Sequence, residues 1–209
     1  NIKRTGSSGT YTYTVASDWA NRPVNEVSWG DAARFSNWMS NGQPTGAQNA
    51  STTEDGSYYL NGATSDAALL AVTRKANATW VIPSEDEWYK SAYHKKDGVT
   101  SNYWDYPTRS NTAPGQDMAD ASGNNANYYT GSGPYPIDSG KYTTVAGEFQ
   151  NSASPYGTFD QGGNVWEWNE AVLYGSYRGL RGGAFGDDGG GYLYALHASD
   201  RYSFSFFPS

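Results

Sequence analysis

The segment 157–172, GTFDQGGNVWEWNEAV, constrains the fold of this chain more than any other stretch of its sequence. Its glycines allow positive φ angles and a close approach of the backbone to other groups. Trp166 and Trp168 follow, and large aromatic side chains bury much surface against specific partners. The segment therefore predicts a tight, irregular turn that leads into a heavily buried strand or the start of a helix. Glu167 lies between the two indoles, where a carboxylate is usually paired or bound to a metal.

The composition predicts a loop-rich core built largely from aromatic residues. Hydrophobic residues make up 37% of the 209 positions and aromatic residues 16%, with 18 Tyr and 8 Trp. This aromatic content argues against disorder. The 25 Gly and 9 Pro indicate that loops form much of the chain. No interior linker or strict repeat interrupts it, so we assign 1–209 to a single domain.

Charge and cysteine content exclude several classes of function. The net charge is −7, and Lys95–Lys96 is an isolated basic pair in the sequence, which argues against binding to nucleic acid or anionic membranes. No apolar run approaches the roughly 18–20 residues of a membrane span. The sequence has no cysteine, which removes disulfides, thiolate metal sites and thiol catalysis. The first residue is Asn and the composition is rich in Tyr, Asn, Ser, Thr and Gly, so we expect an exported protein.

Two helices are predicted from their capping sequences. Ser28 followed by Asp31 and Ser84 followed by Glu87 both fit the capping box, in which side chain and backbone bond reciprocally. We expect the first helix to end at 41–42 and the second to be closed by Gly98. The residues predicted to face inward are Trp29, Ala32, Ala33, Phe35, Trp38 and Met39 in the first helix, and Trp88, Tyr89, Ala92 and Tyr93 in the second.

Strands are predicted at several places outside these helices. Residues 11–15 and 202–206 alternate aromatic or aliphatic with polar residues, the period of a half-buried strand. Residues 80–82, Trp-Val-Ile, are predicted to form a short buried strand. Residues 99–156 are predicted to form a long ordered loop. Because the late strand exposes an aromatic edge, association through that edge is an expectation.

Several segments occur in an order that resembles the formylglycine-generating enzyme, or sulfatase-modifying factor, family. They are NRPVNEVSWGDAARFSNWMS, WVIPSEDEWYKSAY, GNVWEW at 163–168, RGG at 181–183 and HASDR at 197–201. The resemblance is closest to exported bacterial members, some of which carry PEP-CTERM sorting signals. It implies an α+β, C-type-lectin-like fold that is loop-rich, with two main helices and short antiparallel strands. Relative to the family pattern, both ends look incomplete.

The sequence departs from the catalytic members of this family. Those members bind copper through two cysteines shortly after the Arg-Gly-Gly element and oxidise a substrate cysteine. Here Asp187 falls near the first position, and Tyr192 or Leu193 near the second. Since Cu(I) selects soft sulfur ligands, we expect no copper and no formylglycine-generating activity.

The resemblance also implies one or two calcium sites. At the first, Asp160 and Glu167 would supply side-chain oxygens, and Gly163 and Val165 backbone carbonyls; Ca²⁺ prefers six to eight such oxygen ligands. The alternative is that Glu167 only accepts backbone N–H groups at the turn. The second site would use the ligands Asn127, the Tyr128 carbonyl and Asp138.

A candidate ligand groove follows from the same resemblance. It would be lined by Asp187, Asp188, Tyr192, His197, Arg201 and Trp104. His197 could pair with one of the neighbouring aspartates, whereas His94 is expected at the surface near the end of the second helix. No nucleophile signature accompanies either histidine, so a catalytic triad is unsupported.

Three functional hypotheses remain open from the sequence. The first is a non-catalytic, calcium-stabilised exported domain for surface recognition or structural assembly, with a protein or glycan ligand and possible homo-oligomers or filaments. The second is an enzyme of unknown reaction that uses the groove near Asp187, His197 and Arg201. The third is a carbohydrate-binding module, although the Glu-Pro-Asn and Gln-Pro-Asp sugar motifs of calcium lectins are absent.

Overall fold

The computed structural model describes residues 2–8, 10–130, 137–138, 140–186 and 192–204. These residues form the α+β fold that was predicted, with helices, short antiparallel strands and long connecting loops. The helices are α1 (Trp29–Ser40), α2 (Asp66–Leu70) and α3 (Glu85–Tyr93). The strands are β1 (Ile2–Thr5), β2 (Thr12–Val15), β3 (Glu167–Leu173), β4 (Tyr177–Arg181) and β5 (Tyr202–Phe204).

The strands form two antiparallel sheets. The first pairs β1 with β2, placing Ile2 opposite Val15. The second has the order β3-β4-β5, with a register shift in β3 between Trp168 and Val172. A strand, β3, follows the glycine turn, which is one of the two predicted alternatives, but it is less buried than predicted. It is half-buried, with Asn169 and Leu173 fully buried.

Both predicted capping boxes are present. Ser28 accepts a hydrogen bond from the Asp31 backbone N–H, and the Asp31 carboxylate accepts one from the Ser28 N–H; Ser84 and Glu87 do the same at α3. Each cap satisfies N–H groups that have no partner within the helix. Helix α1 ends at Ser40 with Asn41 as its C-cap, in agreement with the predicted end at 41–42. Helix α3 ends at Tyr93 with His94 as its C-cap, rather than continuing to Gly98.

The core lies between the helices, the three-stranded sheet and the loops. One cluster joins α1 to the segments around Tyr58 and Ile82, and Trp29 meets Tyr58 edge-on with ring centroids 5.7 Å apart. A second cluster is built on α3 by Trp88, Ala92 and Tyr93. These α3 residues were predicted to face inward, and Tyr89 packs against them.

Several predicted positions are wrong. Phe35 was placed on the buried face of α1, yet 60% of it is exposed, and its ring contacts Trp38 in a tilted arrangement with centroids 5.7 Å apart. Trp80 is 53% exposed, and residues 80–82 form no strand; Ile82 is buried in the core, and Val81 is partly buried against it. The hairpin strand β2 is exposed along its length rather than half-buried. Burial of an aromatic side chain depends on what lies opposite it, which a local pattern does not specify.

Two further predictions are confirmed within the described residues. Loop structure with isolated bridges fills 99–130, 137–138 and 140–156, with no helix or longer strand. The alternating segment forms a strand over Tyr202–Phe204 at the edge of its sheet, while Phe206 lies outside the described residues. Among all the residues that the structure describes, no helix is both long enough and apolar enough to cross a membrane.

Candidate functional site

The glycine turn before β3 is fixed by backbone contacts with distant segments. Gly163 has φ +82° and donates its N–H to the Gly182 carbonyl at 2.8 Å, while the Asn164 N–H donates to the Asn127 carbonyl at 2.7 Å. A Cβ atom at position 163 would collide with the Asn127 carbonyl oxygen. Only glycine fits both this φ angle and this close approach. Asp160 is also left-handed, with φ 57°.

Glu167 is the most perturbed carboxylate of this region. Its side chain accepts a hydrogen bond from the Trp88 indole N–H, and burial raises the pKa of the carboxyl to about 7. The negative charge of Asp160 raises this pKa further, so the two carboxylates interact. A buried carboxylate near a second one is unfavourable unless a cation or a proton balances the charge.

Asp160 is tied to a neighbouring loop. Its carboxylate accepts a hydrogen bond from the Gly147 N–H at 2.6 Å, and burial raises its pKa above the usual value. Among the described residues, no lysine, arginine or histidine forms an ion pair with Asp160 or Glu167. The Gly163 and Val165 carbonyls likewise accept no hydrogen bond from a described residue.

The donor set of this turn fits a hard cation that accepts carbonyl ligands. Across the described positions, no group of three or more His, Cys, Asp and Glu side chains gathers where a metal could bind. An ion here would therefore rest on two carboxylates and the two free carbonyls of Gly163 and Val165. Ca²⁺ tolerates such mixed oxygen ligation.

The second predicted set of calcium ligands fits less well. Asn127 is fully buried, and its side-chain oxygen has no hydrogen-bond partner in the described structure, as a cation ligand would require. However, the Asp138 carboxylate forms an ion pair with Arg22 at 2.7 Å. The Tyr128 carbonyl already accepts a hydrogen bond from the Gln116 side chain. Two of these three ligands are thus engaged by protein groups.

The predicted groove is described only in part. Asp187 and Asp188 and the side chain of Tyr192 lie outside the described residues. His197 faces Ser199, with its Nδ1 atom 2.8 Å from the hydroxyl oxygen, and meets the ring of Tyr106 edge-on. Arg201 forms an ion pair with Glu85. The Lys95 ammonium group lies over the Trp104 ring, 4.3 Å from the ring centroid.

Comparison with known proteins identifies the family of this chain. The description of the matching family is sulfatase-modifying factor enzyme 1-like domain, and the match spans residues 3–205. The chain belongs to this family. A comparison with curated proteins gave no match. Among solved structures, the chain is similar to CarF, with 22% sequence identity and a TM-score of 0.53.

The likeness to CarF shows the shared fold alone. It covers 90% of this chain and 64% of the CarF chain, so this sulfatase-modifying factor domain spans less than two thirds of that protein. The family assignment predicted from GNVWEW and Arg-Gly-Gly is confirmed, and so is the fold. The calcium ligands and groove residues stay predictions.

The Arg-Gly-Gly element of the sulfatase-modifying factor domain has a clear structural role. The Arg181 guanidinium forms an ion pair with Glu85 at the start of α3, at 2.7 Å, and also donates to the Ala198 carbonyl at 3.2 Å. Gly182 and Gly183 have positive φ angles, and side chains there would meet the Gln161 backbone and Leu196. Glu85 binds both Arg181 and Arg201, a connection that sequence reasoning missed.

His94 is buried rather than at the surface, which corrects the prediction. Its Nδ1 atom accepts a hydrogen bond from the Lys96 N–H at 3.0 Å and lies 2.8 Å from the Tyr156 hydroxyl. Its Nε2 atom lies 2.8 Å from the Val99 carbonyl, to which it must donate. Through these contacts the His94 ring joins α3 to two loops.

Proposed function

We propose that this sulfatase-modifying factor domain is a non-catalytic recognition or assembly domain, exported from the cell and stabilised by Ca²⁺ at Asp160 and Glu167. The observation that supports the proposal is a pair of interacting, partly buried carboxylates in the same turn as two backbone carbonyls that accept no hydrogen bond from a described residue. Burial disfavours the charged forms, and no cationic side chain of the described residues compensates them. A divalent cation would balance the charge and use the carbonyls as ligands.

The absence of cysteine supports a role other than cysteine oxidation. The family's copper chemistry requires a thiolate pair, and these 209 residues supply no sulfhydryl group. Position 193 is leucine, and position 192 is tyrosine, neither of which is a soft ligand. Recognition or assembly needs only the fold and its surface. Export is supported by the composition discussed above.

Calcium titration tests the metal part of the proposal. After EDTA treatment and dialysis, Ca²⁺ should raise the melting temperature, because a ligand that binds only the native state stabilises it by about 2.7 kcal/mol at 100 times Kd. Asp160→Asn and Glu167→Gln should abolish the shift. Asp86→Asn, an exposed carboxylate on α3, is the matched control and should retain it. An unchanged melting temperature, or a full shift in both site variants, would contradict the proposal.

Two further measurements test the functional part. The purified chain, with and without copper, should form no aldehyde in a peptide carrying a sulfatase motif; product above a blank without protein would show catalysis. Light scattering separates assembly from recognition. An increase of the measured mass with protein concentration would support assembly through the edge strand β5. A constant monomer mass would rule out assembly and favour the recognition role.

A further inference from the structure

An open cleft of about 490 Å³ lies beside the C-terminal end of α3. None of its lining residues belongs to the proposed calcium sites. It is lined by Lys90, His94, Lys96, Gly98, Thr100, Tyr103 and Tyr156. Its size is that of a small-molecule site. The lining combines two ammonium groups with two phenol rings, and no acidic side chain belongs to it.

The two lysines of the cleft carry charges that no acidic side chain of the described residues pairs with, as is also true of Lys3 and Lys95. In a protein of net charge −7, Lys75 and Lys141 are neutralised by ion pairs with aspartates. By contrast, Lys90 and Lys96 form no ion pair with any residue that the structure describes. The nearby Asp97 carboxylate is occupied within its own turn by the Val99 N–H at 3.1 Å and by Asn102.

The walls of the cleft are held in place before any ligand binds. Residues 93–95 pair with 102–104 through the bonds of Lys95 N–H to Asn102 O, 3.0 Å, and Trp104 N–H to Tyr93 O, 2.8 Å. The buried His94 fixes Tyr156 through its hydroxyl and Val99 through its carbonyl. A preorganised site binds with less loss of side-chain freedom.

Lys96 itself sits in a strained position. Its φ is 56°, in the left-handed region that residues other than glycine rarely adopt. Its ammonium group lies 5.3 Å from the ring centroid of Tyr156. Backbone strain of this kind clusters at ligand-binding sites. The turn thus directs a lysine along an aromatic wall, beside Lys90 from the last turn of α3.

We infer that this cleft binds a small organic anion. Its carboxylate, sulfate or phosphate group contacts Lys90 and Lys96, and its ring or other apolar body contacts Tyr103 and Tyr156. Lysine ammonium groups act as point charges that accept any of these acidic groups. Tyrosine rings supply the apolar contact area for the body of the ligand.

Calorimetric titration of the full chain at low ionic strength tests this inference. The probes are glucose 6-phosphate, glucuronate, glucose and inorganic phosphate. We expect at least one of the two acidic sugars to bind at least tenfold more tightly than both glucose and inorganic phosphate. Glucose lacks the acidic group that contacts the lysines, and inorganic phosphate lacks the body that contacts the tyrosine rings. Glucose binding as tightly as the acidic sugars, or no binding of either acidic sugar, would overturn the inference.

Variants locate the site. The double variant Lys90→Gln/Lys96→Gln should weaken acidic-sugar binding at least tenfold. Lys95→Gln makes the same charge change one position away, but Lys95 lies over Trp104 and does not line the cleft, so binding should change less than twofold. Thr100→Trp should fill the exposed cleft and abolish binding with both lysines retained. Equal losses in the double variant and Lys95→Gln, or wild-type binding in Thr100→Trp, would contradict this location.

Discussion

The indole N–H of Trp88, on α3, donates a hydrogen bond to the carboxylate of Glu167, the first residue of β3. This bond joins a helix to a strand 79 positions away and reaches a carboxylate whose pKa burial has raised to about 7. The family's conspicuous Trp-Glu-Trp sequence is therefore completed by a third tryptophan from another segment. A cation on the other side of Glu167 and this N–H would together satisfy the carboxylate.

Replacing Trp88 with Phe should destabilise the fold through this bond. Phenylalanine keeps a ring in the core but removes the indole N–H, which is the only group of the described residues that donates a hydrogen bond to the Glu167 carboxylate. Leaving a buried carboxylate without a donor is expected to cost about 1–3 kcal/mol, in addition to the lost ring area. Urea unfolding measures the change. Trp80→Phe is the control, since Trp80 is largely exposed, and should change stability by less than about 0.5 kcal/mol; equal effects would contradict this role of Trp88.

Gly163→Ala should destabilise more than Gly157→Ala, although both glycines have φ +82°. At position 157 the added methyl group meets open space, so only the backbone strain of about 1 kcal/mol applies. At position 163 the methyl group collides with the Asn127 carbonyl oxygen, so the turn must move. We expect a loss of about 3 kcal/mol or more by denaturant unfolding. Similar values for the two variants would show that the turn is not tightly packed.

The sequence predicts those features that are set within a few residues. The capping boxes at Ser28 and Ser84 are local hydrogen bonds, and both are present as predicted. The glycine turn was recognised because positive φ angles favour glycine. For the site, the sequence identified Asp160 and Glu167 as candidates and so directed attention to two carboxylates that the structure shows to interact.

Contacts between distant segments were beyond the reach of local patterns. Nothing in the sequence distinguishes the buried Arg178 from an exposed arginine, or joins Glu85 to Arg181 and Arg201. The cleft beside α3 was also missed, since Lys95–Lys96 looked like an isolated pair until the fold placed Lys90 beside Lys96. Phe35 was assigned to the core by helical periodicity alone, yet no described core cluster covers it.

Arg178→Lys should reveal how much the buried arginine contributes. The guanidinium donates to the carbonyls of Leu69, Val72 and Glu170 at 2.7–2.8 Å and stacks 3.8 Å from the ring centroid of Trp29. A lysine keeps the charge but cannot reproduce the planar set of donors. We expect unfolding free energy to fall by about 2–4 kcal/mol. Arg109→Lys, an exposed control, should change it by less than about 0.5 kcal/mol. A loss below 1 kcal/mol at Arg178 would contradict its role.

Glu54 should make the fold sensitive to acid. Burial alone would raise the pKa of its carboxyl, but hydrogen bonds from Arg34 at 2.7 Å, the Gln48 amide and the Gly62 N–H together lower it below 4.5. A carboxyl whose pKa is lower in the folded state stabilises the fold above its unfolded pKa, and this contribution is lost as pH falls through the folded pKa.

Glu54→Gln should therefore be less stable than the wild type at pH 7, by about 2–4 kcal/mol, because it leaves the buried Arg34 unpaired. The difference between the two proteins should shrink as the solution is acidified, since wild-type Glu54 becomes protonated once the pH falls through its lowered pKa. Urea unfolding at several pH values gives both curves, and subtraction removes the contributions of other carboxylates such as Glu87. The exposed control Asp86→Asn should change stability at pH 7 by less than about 0.5 kcal/mol. A difference for Glu54→Gln that stays constant from pH 7 to 2.5 would show that the carboxylate charge does not stabilise the fold.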